Sequence, residues 1–283
     1  MTDVANRTGG GRVAALGVPP KQLAPAWIAL VILAALAWVV TIDQANGMGV
    51  GPGTMGLELP AFILLWVAMM AAMMFPSVAP VAILWARTIQ ARSTGALRAW
   101  RIGTFVAGYL VAWAGFGVVA FVALLGSQRL VETAPEVAKW LAVGIFLTAG
   151  AYQLTPLKRA CLRHCRSPMT SILHYASLKG SARDFRVGLH HGLYCVGCCW
   201  GLMVVLVAVG VMNLAAMALL AVVIFLEKIW RRGDRLARVV GVGFIAFALV
   251  IPFAPRLAPG LHTSNTPMTD TTQMTDGGTT GGM

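Results

Sequence analysis

P-A-F-I-L-L-W-V-A-M-M-A-A-M-M-F-P-S-V-A-P-V-A-I-L-W, residues Pro60–Trp85, carries no charged side chain in 26 positions. Its apolar residues are continuous instead of alternating, which selects a helix over a barrel strand. Six further runs share this character: Ala26–Ile42, Ile102–Leu125, Val137–Leu154, Val187–Val211, Leu214–Trp230 and Leu236–Phe253. Each is about long enough to cross a bilayer, where backbone N–H and C=O groups must pair within the segment. Pro76 and Pro80 predict a kink or an early stop in the second run, because proline removes a backbone donor.

The composition agrees. Only 11% of the 283 residues are charged and 58% are hydrophobic, against about 25% charged in an average soluble domain. So few charges cannot solvate the surface of a globule this size. The reading is an all-α, polytopic membrane helix bundle of about seven transmembrane helices, or six if one terminal run does not cross. Residues 1–25 form an N-terminal tail, 26–254 the bundle, and 255–283 a Thr/Gly-rich tail expected to be disordered. The first apolar run is longer than a secretory core and no clear cleavage site follows it, so it reads as a retained helix.

Basic residues fix the orientation. Of the 22 Lys and Arg, 19 fall on one side of the seven spans, in groups of three, four, seven and five. Only Arg129, Lys139 and Arg256 fall on the other. Under the positive-inside rule the N-terminus is cytoplasmic and the C-terminus outside. The net charge of +12 therefore serves topology. No basic stripe interleaved with aromatics suggests nucleic acid; the first partner is the lipid bilayer.

Chemistry concentrates in three stretches. The first is H-H-G-L-Y-C-V-G-C-C-W-G-L-M, His190–Met203. Residues spaced by three and four share a helical face, so His191, Cys195 and Cys198 align. Cys199 lies beside them, and Met203 follows it by one turn. At ~1.5 Å per residue the cysteines lie roughly 12–18 Å in from the cytoplasmic boundary, close to mid-membrane. Gly192, Gly197 and Gly201 permit close helix approach. Free cysteines also pack as small hydrophobes, but three in five positions after a histidine point to ligand or redox chemistry.

The second stretch, W-V-A-M-M-A-A-M-M-F-P, pairs Met69 with Met73 and Met70 with Met74 one turn apart. Methionine commonly fills core space. These four fall at a depth similar to that of the cysteines on an antiparallel span, so thioethers would face thiols if the two helices touch. The third, T-P-L-K-R-A-C-L-R-H-C-R-S-P (Thr155–Pro168), follows the fourth span on the cytoplasmic side. Its Cys161 and Cys165 are one turn apart among Lys158, Arg159, Arg163 and Arg166, cations that favour the thiolate. This pair could load or unload a metal from a donor or acceptor protein, act as a redox pair, or simply be two surface cysteines. Glu227 and Lys228 end the sixth span, where ionisable side chains often just snorkel to the interface, though a carboxylate there could also serve as a proton or cation stop.

Soft sulfur ligands select Cu(I). Zn(II) would accept Cys and His, but the available partner helix offers methionine, which tips the choice toward copper. Burying one Cu(I) with two thiolates leaves a net negative charge that needs compensation. No phosphate-binding G-x-x-x-x-G-K-[ST] occurs, so nothing supplies ATP binding.

These motifs resemble a family of bacterial inner-membrane proteins predicted to bind metal. The resemblance rests on W-x-x-M-M-A-A-M-M-x-P (Trp66–Pro76), T-P-L-K-x-x-C-L-x-x-C-R-S-P (Thr155–Pro168), G-L-x-x-G-x-x-C-x-G-C-C-W-x-L-M (Gly188–Met203), M-N (Met212–Asn213) and E-K (Glu227–Lys228). It covers Trp66 to Lys228 and implies a metal role. The expected function is a Cu(I)-binding protein that binds, delivers or translocates the ion, with no catalytic residues assigned. The alternatives are a membrane thiol–disulfide oxidoreductase and a scaffold whose small residues only pack helices.

Overall fold

The computed structural model describes residues 24–47, 53–54, 56–90, 95–166 and 182–253. Residues 1–23 of the expected N-terminal tail and the whole C-terminal tail, with Met268, Met274 and Met283, lie outside the described residues, while Ala24 and Pro25 begin the first helix. The described residues form eight α-helices and no strand: α1 Ala24–Gly47, α2 Leu59–Gln90, α3 Gly95–Thr133, α4 Pro135–Leu154, α5 Pro156–Arg166, α6 Arg183–Val209, α7 Leu214–Ile229 and α8 Gly233–Val250. Each of the seven apolar runs is a helix, and α5 is the addition. Five helices, α1, α2, α3, α4 and α6, are long and apolar enough to cross a bilayer. The last two are shorter, at 16 and 18 residues.

The prolines do not stop α2, which runs unbroken through Pro76 and Pro80. Its side chains are packed on nearly every face there, with Met73, Met74, Phe75, Val78 and Ala79 all buried. Tertiary packing outweighs the lost hydrogen bonds. Within this stretch the Ser77 hydroxyl donates to the Met74 carbonyl at 2.8 Å.

Small residues let α3 and α6 form the tightest seam. A Cβ on Gly188 would lie 1.9 Å from the Phe105 carbonyl oxygen, and one on Gly108 would lie 2.2 Å from that of Phe185. Both contacts are with backbone, so neither position has room for a side chain. Gly192 meets Ala112 on the same seam, Gly201 packs on α4, and Gly197 faces Cys161 of α5. Arg101 closes the seam with a salt bridge to Asp184 at 2.8 Å. Around this centre, α2 packs against α1 and α3 and meets α7, while α8 packs on α4.

A sharp turn separates α6 from α7. Gly210 takes φ 101°, a left-handed conformation that glycine adopts without strain. Asn213 then caps α7, its side-chain oxygen accepting from the Ala216 N–H at 3.0 Å. The M-N motif is thus a helix start.

Candidate metal centre

One turn of α6 builds the core of the site. Cys195, Cys198 and Cys199 are fully buried, and their three sulfurs lie within 4.8 Å of one another. Cys198 Sγ is 3.2 Å from Cys199 Sγ and donates to the Cys195 carbonyl at 3.2 Å. Two sulfurs bonded at about 2.3 Å to a d10 ion can be at most about 4.6 Å apart, close to the spacing found. All five cysteines are free thiols.

The segment Thr155–Arg166 is not a surface loop. It is the short helix α5, laid against α6, with the His164 ring stacked on Tyr194 at 3.8 Å. Cys165 is buried and its sulfur stands 3.8 Å from Cys198 Sγ. Cys161, half-buried, sits over Gly197. The two cysteine motifs therefore meet.

Lys158 fastens α5 in place. It is 1% exposed, donates to the Cys198 carbonyl, and pairs with Glu227 at 2.8 Å. Glu227, also 1% exposed, accepts a second bond from Gln153 at 3.0 Å. Burial alone would lower the Lys158 pKa, but Glu227 and then the thiols of Cys199 and Cys198 outweigh it and raise it above its ordinary value.

The expectation that Glu227 and Lys228 only snorkel at a helix edge is corrected. Lys228 is 9% exposed and turns inward: its Nζ lies 3.0 Å from Cys195 Sγ and 3.1 Å from Ser77 Oγ. Among the described residues no carboxylate pairs with it, and its nearest side-chain contacts are Cys195 and Ser77. Tyr109 of α3 meets Cys195 from another side, hydroxyl to sulfur at 3.1 Å.

The cluster lies level with the ends of α4 and α7 that adjoin α5, because Tyr152 donates to the Gly197 carbonyl and Lys228 reaches Cys195.

His191 is buried one turn before Cys195. Its ring stacks on Tyr109, and its Nδ1 has no hydrogen-bond partner among the described residues. Met203 is buried one turn beyond Cys199. Met69, Met70, Met73 and Met74 are buried in the same core as the cysteines. Their helix packs chiefly on α1 and α3, and it reaches the cluster through Ser77, one turn after Met73, and the shared Lys228.

Tyr109, Gln153 and Ser77 carry no sequence signal that marks them for this role. Lys158 and Lys228 stand inside the quoted motifs, but their direction depends on how α5 and α7 are set against α6.

A helical bundle that gathers three clustered thiols and a buried cation in its core has the donor set of a soft-metal protein. A family model described as PpoB2, copper chaperone, matches residues 63–251, and the chain belongs to that family. No curated protein and no solved structure matches the chain.

Proposed function

We propose that this chain is a multi-pass membrane protein that carries Cu(I) as cargo at Cys195, Cys198 and Cys199 and hands it on. One observation carries the reading: three buried sulfurs are already spaced for one ion, with the Lys228 ammonium 3.0 Å from Cys195. A Cu(I) held by two thiolates has a net charge of −1, and Lys228 supplies the opposite charge inside the core. The neighbouring Lys158–Glu227 pair is neutral by itself, so the balance closes with two of the three cysteines as thiolates and the third as a neutral thiol.

Soft ligation favours Cu(I) over harder ions, and the family's description points to the same metal. His191 offers an imidazole nitrogen as an auxiliary ligand. Met69, Met70, Met73, Met74 and Met203 are the candidate thioethers, supported by Ser77 and Cys195 sharing Lys228.

The membrane reading rests on five bilayer-length helices and on an exterior rich in exposed Leu, Ile and Val, such as Leu64, Leu219 and Val239. An apolar exterior of that extent suits lipid far better than water. With α7 and α8 counted as spans, the distribution of basic residues puts the N-terminus in the cytoplasm of a bacterial cell and the C-terminus outside. Helix α5 then lies at the cytoplasmic side, where a donor or acceptor protein could meet it.

The test is metal content. The full chain is purified in detergent under reducing conditions, and copper and zinc per chain are measured for the wild type and for Cys195→Ser/Cys198→Ser. Copper bound by the wild type and lost from the variant is the expected result. A wild type that binds no copper but forms a Cys165–Cys198 disulfide would favour thiol–disulfide chemistry instead.

A further inference from the structure

We infer that Cys165 is the exchange thiol through which Cu(I) passes between α5 and the core, by direct hand-off to Cys198. The inference rests on the copper reading above.

Burial increases from the α5 thiols to the core. Cys161 is half-buried, Cys165 is 9% exposed and Cys198 is 1% exposed. The Cys165–Cys198 separation of 3.8 Å is shorter than the roughly 4.6 Å limit for two sulfurs on one d10 ion. A single Cu(I) can therefore touch both thiols at once, and the ion need never be released into an apolar interior.

Two polar anchors hold this contact. At one end Lys158 is bonded to Glu227 and to the Cys198 carbonyl. At the other, Arg166 pairs with Asp234 at 3.2 Å and donates to the Trp230 carbonyl at 2.6 Å. Cys161 and Cys165 lie between the anchors, so α5 is fixed with its thiols toward α6. A helix kept only as a linker would not need a buried ion pair beside the metal centre.

The step balances. The Cu–S bond to Cys198 forms as the Cu–S bond to Cys165 breaks, and the proton of the Cys198 thiol passes to Cys165. Copper remains Cu(I) and no electron moves.

A relay lowers a barrier without changing the equilibrium, so it must act equally on both directions. The experiment uses the full chain in detergent, with Cu(I)–bicinchoninate for loading and excess bathocuproine disulfonate for release. Cys165→Ser is expected to keep the wild-type Kd within about threefold while slowing uptake and release by the same factor, about tenfold or more. Cys165→Ala is the second variant, and each is checked for monodisperse elution and unchanged Tm. Unchanged rates would overturn the relay. A Kd weakened as much as in Cys198→Ser would also overturn it, since Cys165 would then be a resident ligand. A wild type that takes up no Cu(I) is a separate result, and it removes the copper reading itself.

Discussion

Replacing Lys228 with methionine removes the cation but keeps most of the side chain's length and volume. Its Nζ is 3.0 Å from Cys195 Sγ, and the other two sulfurs lie within 4.8 Å of that atom. The negative charge of a Cu(I) dithiolate is thus spread between about 3 and 8 Å from the ammonium. At an effective dielectric of about 20, a unit pair at those limits is worth roughly 5 and 2 kcal/mol. The empty variant escapes most of this loss, because its thiol can take a proton from water and become neutral. The copper-bound form has no such escape. Taking the lower limit, Lys228→Met should weaken Cu(I) binding by about 2 kcal/mol, roughly 30-fold. The assay is anaerobic competition with bicinchoninate, with Tm followed in parallel. Lys228→Arg, which keeps the charge, should recover part of the affinity. If Lys228→Met is folded and binds within threefold of the wild type, the charge-balance argument is wrong.

Three further outcomes are expected. Glu227→Gln leaves Lys158 buried without its carboxylate and should cost about 3–5 kcal/mol of stability, read as a large fall in Tm. The double variant Lys158→Met/Glu227→Leu should be clearly more stable than Glu227→Gln alone, and equal loss in both would count against the pair's geometry. Gly188→Val should abolish monodisperse protein, because its Cβ would meet the Phe105 backbone at 1.9 Å; Gly197→Ala, whose Cβ meets only Cys161 Sγ at 3.4 Å, should be tolerated with copper still bound. Asn213→Ala should cost about 1 kcal/mol through loss of the α7 cap while leaving Cu(I) affinity unchanged. A changed affinity there would show that the M-N motif does more than start a helix.

The sequence alone determined the elements and one face of the site. Uncharged runs such as Pro60–Trp85 specify helices wherever they are placed, since length and apolarity are local properties. The spacing of Cys195, Cys198 and Cys199 brings their sulfurs together on α6 because helical period is local too. The tertiary structure decided the rest: Cys165 beside Cys198, Lys228 turned to Cys195, Glu227 buried against Lys158, and the cluster's level at the ends of α4 and α7. These depend on the rotation and axial offset of separate helices. Helices that are apolar on every side carry little record of either in their pattern, and backbone contacts at glycines such as Gly108 and Gly188 set both only once the helices meet.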